Sequence, residues 1–367
     1  MMPVLRPTVA EIDLAKLARN IKKVRTQVGD KVNILAILKA NAYGHGASAV
    51  GRFLEEQALA EFFGVASVEE GIALREAGLK TPVLVLGSIF PFEAFEYAIK
   101  YDLAVTIASL QAAESVVKIA EKMGKKAHCH VKQDTGMGRI GTRRGGVIKI
   151  IEFLHASPHV VLDGLFTHLC AVGTDDAFTE EQIGYYRDTL TGMNLRQIAV
   201  PFLHVAASAA IESRPDAHYT MVRPGHSLYG LQKGYEPVLS LKTRIVYVKD
   251  VPAGNSISYN RSFHATKALK VATLPVGYGD GYLRALSGKA EVLIKGVRCP
   301  VVGNITMDMM MVDISAVADS AVGEEVVLVG RQGAEEITLA ELAEKAGTID
   351  YEICTQLNAR VPRIYKK

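Results

Sequence analysis

Through the first two thirds of the chain, short apolar runs alternate with longer stretches whose apolar residues recur every three or four positions. The runs are "NILAIL" (33–38), "FFGVA" (62–66), "PVLVL" (82–86), "LAVTI" (103–107), "AHCHVK" (127–132), "VLDGLFTH" (161–168), "FLHVA" (202–206) and "YTMVR" (219–223). Their length and β-branched content read as strands, and the stretches between them read as amphipathic helices. One of these, "SLQAAESVVKIAEKMGKK", offers Ser109 as an N-cap and Gly124 as a stop. Eight strands alternating with helices predict an α/β fold, a parallel TIM (β/α)8 barrel. Beyond about residue 235 the texture changes. "LSLKTRIVYVKDVPAG", "KALKVATLPVGY", "AEVLIKGVRCPVVG" and "DMMMVDIS" alternate or run apolar between Gly and Pro turns, with "TLAELAEKAG" the one clear helix. We therefore expect a barrel domain over 1–235 and a C-terminal, mostly β domain over 236–367, with the first ~10 residues able to pair with the latter.

The 367 residues leave room for a large domain and a smaller one. An apolar fraction of 49% with 22% charged residues suits a core-forming globular protein. The net charge of +3 is spread along the chain, which points away from nucleic acid and from a polybasic membrane anchor. Cys129, Cys170, Cys299 and Cys354 are far apart and form no CxxC pair, as expected of reduced thiols in a cytosol. No run reaches the roughly 18 apolar residues of a membrane span, and "MMPVLRPTVAEIDLAKLARN" has no apolar signal core. A soluble, cytoplasmic protein is the expectation.

The chemistry begins at "ILAILKANAYGHG" (34–46), where a buried-looking strand stops on Lys39 and runs into a glycine-punctuated turn. A lysine charge is costly to desolvate. Either Lys39 meets water, or it sits in a dry mouth where it sheds its proton and becomes a nucleophile. Catalytic groups of such barrels collect where strands end. Those ends supply Lys39, the segment from Lys132 to Arg139, His168, Ser208 and Arg223. After strands seven and eight, Ser208 offers a hydroxyl and "RPGHS" (223–227) a turn able to aim the N–H groups of Gly225 and His226 at an anion. Singly, Ser208 reads as a helix cap and Gly225 as a turn residue; opposite a strand-one lysine, they point to a phosphorylated aldehyde cofactor. His128 and His130 share a strand face without a third ligand or a carboxylate partner in view, so packing is expected and no metal. "MDMMM" (307–311) reads as domain packing, and "GYGDGY" lacks the lysine and helix of a phosphate loop.

Several segments, taken in order, resemble the alanine racemase family of pyridoxal-phosphate enzymes. They are "ILKANAYGHG", "HVKQDTGMGRIG", "LFTHL", "HVAASAA", "VRPGHSLYG", "SISYNRSF", "PVGYGDGY", "VGNITMDM" and "DYEICTQLNARVPR". The resemblance implies interconversion of L- and D-alanine, with D-alanine destined for peptidoglycan. Lys39 would hold pyridoxal 5'-phosphate as an internal Schiff base and act as one base. Tyr259, supplied by the partner subunit of a homodimer with shared active sites, would act as the other. A tyrosine pKa near about 10 needs lowering, and the family links this tyrosine through a histidine to an arginine, here His168 and Arg223. Arg223 would also face the pyridine nitrogen. Arg139 and the backbone of Met307 would hold the substrate carboxylate, while Tyr43, Ser208, Gly225, His226 and Tyr351 would hold the phosphate. Lys132 corresponds to a lysine that is often carbamylated, marked by an intact mass larger by one carbon dioxide. Tyr278, Arg284 and Asp308 correspond to residues of the entry corridor. Departures are Ala207 for an asparagine, His226 for an aliphatic residue and Asn304 for an arginine. Two other readings compete: a basic-amino-acid decarboxylase of the same architecture, and a cofactor carrier without turnover. The first expects a tri-glycine loop and a glutamate where this chain has "HVAASAA" and Arg223; the second expects no β domain.

Overall fold

A computed structural model describes residues 5–143 and 145–367. Residues 1–4, the beginning of the segment expected to pair with the β domain, lie outside it. The chain divides into two units, each described by itself. One comprises Ala18–Ala42 and Ala47–Leu228; the other comprises the chain up to Leu17, Tyr43–Gly46 and Tyr229–Lys367.

The first unit contains the expected barrel. Its parallel strands are Asn33–Ile37, Phe62–Val65, Val83–Val85, Leu103–Ile107, Ala127–Lys132, Val160–Phe166, Phe202–His204 and Met221–Val222. Each pairs with the next as far as Phe202–His204, and Met221–Val222 pairs back onto the first through Asn33↔Met221 and Ile34↔Val222. Between the last two strands only the Ala207↔Arg223 bridge forms, so the barrel is nearly closed. Near-continuous apolar runs suit strands covered on both faces; Ile34, Leu35, Ala36, Phe63, Val65, Val105, Val131 and Leu165 are all buried. Helix Leu110–Met123 is bounded as its sequence predicts. Ser109 Oγ accepts from the Ala112 N–H, and Gly124 closes the helix at φ 62°. Between Cys129↔Leu162 and His130↔Gly164 the register slips by one, leaving Asp163 as an extra residue. Such a bulge re-aims a side chain, and Asp163 turns to His128.

The second unit is built on one long sheet. Its strand order is Tyr247–Val251, Leu269–Leu274, Met310–Asp313, Val297–Val302, Glu291–Ile294, Glu325–Gln332, Leu239–Arg244, Val9–Asp13 and Arg363–Lys366. Val9–Asp13 runs antiparallel to Leu239–Arg244 and parallel to Arg363–Lys366. Val251, Ile257, Ala265, Leu269, Val271 and Val302 form a core cluster against which Phe263 and Met311 pack. Helix Leu339–Ala346 is capped by Thr338 and ends at Gly347, and a further helix, Asp350–Gln356, follows it. Asp280 is fully buried; it binds both terminal nitrogens of Arg6 and accepts from the Gly277 N–H at 3.0 Å. All four cysteines are free. Among the described residues no helix is long and apolar enough to cross a membrane.

Candidate active site

At the end of the first barrel strand Lys39 is half-buried, and the chain then turns left-handed. Ala40, Asn41, Ala42 and Tyr43 have φ of 52°, 54°, 56° and 53°. Each such residue costs roughly 1–2 kcal/mol for an L-amino acid, so neighbours must impose the turn. Glu70 does this. Its two oxygens accept the N–H groups of Ala40 and Ala66, each at 2.7 Å, while Asn41 Oδ1 accepts the Ala47 N–H at 2.9 Å. The Lys39 amine is held below the usual lysine range, first by burial, then by the Arg139 charge, with Glu70 opposing and Arg223 adding. An amine that loses its proton readily is a nucleophile and a base.

Arg223 is 4% exposed and nearly saturated. Nη1 donates to the His204 carbonyl at 2.8 Å and to His204 Nδ1 at 3.1 Å. Nη2 donates to the carbonyls of Thr167 (2.7 Å) and Val205 (2.9 Å) and approaches His168 Nδ1 at 3.5 Å. No described residue accepts from its Nε–H. Because a guanidinium can only donate, His204 Nδ1 and His168 Nδ1 must both be acceptors. His204 therefore carries its proton on Nε2 and donates to His130 Nδ1 at 3.0 Å. His204 stacks on Phe166, with centroids 4.6 Å apart, and His130 on Phe202. A Cβ on Gly164 would lie 2.3 Å from His130 Nδ1, so the ring fits only beside glycine. Burial pushes His130 down to about 4 and His204 well below its ordinary range. Burial followed by the Arg223, Lys132, Arg139 and Lys39 charges pushes His168 down to about 2. All three are neutral at pH 7. Burial lowers Arg223 to about 10, still protonated.

Lys132 is 3% exposed, its Nζ 4.5 Å from the Phe166 ring centre. Among the described residues no carboxylate lies within ion-pair distance. Burial, then Arg223 and Arg139, drive its pKa far down, against Asp134. Asp134 is itself engaged by the N–H groups of Gly136 and Gly138 and by Arg143. Arg139 is exposed, and its side chain has no partner among the described residues. After the seventh strand Ser208 is not a helix cap, since the capping position is Ala207. Ser208 Oγ instead accepts the N–H groups of Gly225 at 3.0 Å and Ser227 at 3.1 Å. The Gly225 N–H, expected to face an anion, thus points at the hydroxyl, and Ser227 joins it there.

In the β unit Tyr43 lies 5.1 Å from Tyr229 and 6.3 Å, edge-on, from Tyr351, ring centre to ring centre. Burial, with Tyr351 and Cys354 adding, pushes Tyr43 up to about 12. The Tyr278 turn is stitched to the Met307 loop: Tyr278 N–H donates to the Thr306 carbonyl and Gly279 N–H to that of Met307. Asp308 accepts from Arg360 at 2.6 Å. Arg284 is exposed, with no side-chain partner among the described residues. Tyr259 is 71% exposed at the start of the short turn Tyr259–Arg261.

Family models described as alanine racemase, N-terminal domain, and alanine racemase, C-terminal domain, match residues 12–233 and 238–365. The chain belongs to the alanine racemase family. Relatives include the alanine racemase of Halothermothrix orenii, 41% identical with 99% of this chain and 98% of the relative covered. That of Symbiobacterium thermophilum is 41% identical over 98% of this chain and 97% of its own. Among solved structures, alanine racemase from Clostridium difficile 630 superposes with a TM-score of 0.94 at 36% identity, covering 99% of this chain and 97% of its own. The Bacillus anthracis enzyme, solved with bound L-Ala-P, gives a TM-score of 0.94 at 34% identity, covering 100% and 96%. The activity that goes with this family is racemisation of alanine, which makes the chain an isomerase and sets aside the decarboxylase and carrier readings.

Within this alanine racemase fold, the barrel unit brings together Lys39, Lys132, His168, Ser208, Arg223 and Gly225. Sequence reading missed Glu70, His204 and Arg360, and gave His130 a packing role alone. Only Glu70 left a local trace, the Ser67-to-Glu70 spacing of a helix start; the others depend on partners far along the chain. Two packing expectations are corrected. His128 does have a carboxylate partner, Asp163 at 2.7 Å, because the bulge exposes one and aims it. In "MDMMM", Met310 is buried and Met311 packs on the core, but Met307 and Met309 are 54% and 47% exposed. Among the described residues no group of three or more His, Cys, Asp or Glu could hold a metal ion.

Proposed function

We propose that this chain racemises alanine with pyridoxal 5'-phosphate as cofactor and two bases, Lys39 and Tyr259 of the partner subunit. The observation that carries the reading is a half-buried strand-end amine, Lys39, held below its ordinary pKa by burial and by the charges of Arg139 and Arg223, against Glu70. The residues present fit the cofactor. Lysine can bond its aldehyde, the nearby arginines favour its anionic phosphate, Ser208, which accepts from Gly225 and Ser227, keeps its own O–H to donate, and the Arg223 Nε–H has no described partner. When bound, the cofactor supplies a conjugated electron sink that makes the substrate's Cα–H acidic.

The protein's own residues then act as follows. Lys39 Nζ takes or returns the proton on one face of Cα. Tyr259 of the partner subunit does so on the other, and its 71% exposure in the single chain agrees with a role outside its own subunit. His168, accepting from Arg223 at Nδ1, presents an Nε2–H that can donate to a phenolate and stabilise it. Arg223 keeps its proton at any working pH, so it can hydrogen-bond the cofactor's ring nitrogen without protonating it. That keeps the sink weak and limits side reactions. Arg139 pairs with the substrate carboxylate, joined by the backbone of Met307. Ser208, Gly225, His226, Tyr43 and Tyr351 are the phosphate contacts. The lowered pKa of Lys132 favours the neutral amine that reacts with carbon dioxide, and its carbamylation would place there an anion able to hold Arg139. Tyr278, Arg284 and Asp308 are assigned to the substrate's path. The protein is a cytoplasmic homodimer whose D-alanine supplies peptidoglycan.

The test is solvent-deuterium exchange at Cα from each alanine enantiomer. Tyr259→Phe should slow exchange from one enantiomer by about 10²–10⁴-fold and spare the other, while Lys39→Ala should remove exchange from the spared one. Normal exchange of both enantiomers in either variant ends the two-base reading.

A further inference from the structure

We infer that Asn304 is a positioning residue for Tyr259, setting the direction in which the phenol leaves the β unit; this rests on the reading of Tyr259 as second base. Tyr259 lies in a backbone that L-residues resist. Ser258 has φ 71° and ψ 176°, Asn260 φ 58° and ψ 19°, and Arg261 φ 52°. The Ser258 values fall in a region populated almost only by glycine, and such a residue persists only where its surroundings impose it.

The imposing partner is the loop that follows strand Val297–Val302. Asn304 Nδ2 donates to the Tyr259 carbonyl at 3.1 Å, and Ser258 Oγ donates to the Asn304 carbonyl at 2.9 Å. One residue thus grips the segment on both sides of the Ser258–Tyr259 peptide. The carbonyl of Tyr259 can only accept, so the amide nitrogen of Asn304 is required there. The grip is itself anchored. Gly303, at φ 74°, lies so close that a Cβ would come within 2.6 Å of Ser258 Cβ. Ile305 is fully buried and donates its N–H to Ser287 Oγ at 3.0 Å. On the Tyr259 side, Arg261 Nε donates to Ser256 Oγ at 3.1 Å, closing the turn. With the backbone fixed at both ends, an exposed phenol keeps a defined exit vector at its first rotatable bond. Released from Asn304, the segment can relax toward ordinary φ values and carry the phenol away. A displacement near 1 Å is enough to cost about 10²-fold in a proton transfer.

The experiment uses the purified holoenzyme and the variants Asn304→Ala, Asn304→Asp and Tyr259→Phe. Asp keeps the size of Asn but has no donor for the carbonyl. Deuterium exchange from each alanine enantiomer is read beside amide hydrogen exchange of peptide 256–264. The inference expects both Asn304 variants to slow exchange from the enantiomer that Tyr259→Phe slows, by about tenfold or more. The other enantiomer should stay within about twofold, which also certifies folding. Amide exchange should quicken in 256–264 and nowhere else. Equal slowing of both enantiomers, no slowing, or unchanged amide protection, alongside a one-sided loss in Tyr259→Phe, overturns the inference alone. Should Tyr259→Phe show no one-sided loss, the second-base reading fails and this inference falls with it.

Discussion

Gly164 is a small residue with a large effect, because its missing Cβ is what admits the His130 ring against His204. The result is a run of neutral rings reaching from His130 through His204 to Arg223, each tautomer dictated by the last. The run has a measurable acid signature. His130 has a folded pKa of about 4, set by burial with Asp163 opposing and His128 adding, against an unfolded value near 6.5. Between these values the unfolded chain binds more protons than the folded one. Stability is therefore fully present above about pH 6.5 and falls as pH drops toward about 4, by about 3 kcal/mol for this residue. His204 and His168, also depressed, extend the loss further down. Urea melts from pH 7 to pH 4.5 should show a falling midpoint, and His130→Gln should flatten the slope whatever it does to stability at pH 7. An unchanged slope would mean that His130 is protonated in the folded state.

Among the elements, the left-handed turn after Lys39 departs furthest from local preference. Of Ala, Asn, Ala and Tyr only the asparagine takes positive φ with any ease; Glu70 imposes it from a helix in another part of the chain. Ala40 is exposed at φ 52°, so Ala40→Gly removes strain without opening a cavity. Relief of about 1–2 kcal/mol of left-handed strain, less the glycine entropy cost of about 0.5–1 kcal/mol, leaves a gain of about 0.5–1 kcal/mol and an apparent Tm higher by about 2 °C. A lower Tm would show that the turn holds no such strain. Elements set by local rules were legible beforehand. The barrel strands and helix Leu110–Met123 follow from periodicity and caps. Glu325–Gln332 escaped notice because "VVLV" is a continuous buried run, which periodicity cannot assign. The turn escaped because its cause is not local. In the site, Lys39 and Arg223 could be found by walking strand ends, whereas His204 and Arg360 acquire a role only through side chains that folding brings near.

For the molecule as a whole, the proposed homodimer makes a statement about arithmetic. If each active site combines Lys39 of one subunit with Tyr259 of the other, the Lys39→Ala and Tyr259→Phe variants should complement. Each mixed dimer then holds one intact site and one doubly damaged site. Co-expression in equal amounts should restore about a quarter of wild-type activity, while each variant alone stays near background. Sites complete within one chain would leave the mixture inactive. The β unit has a history as well as a shape. Val9–Asp13 is flanked by Leu239–Arg244 on one edge and Arg363–Lys366 on the other. In a chain made from its N-terminal side, Val9–Asp13 waits for more than two hundred residues before its first neighbour exists, and well beyond that before its second. Until both exist its edges stay unpaired, and this part of the sheet can be sealed only after Arg363–Lys366 has been made.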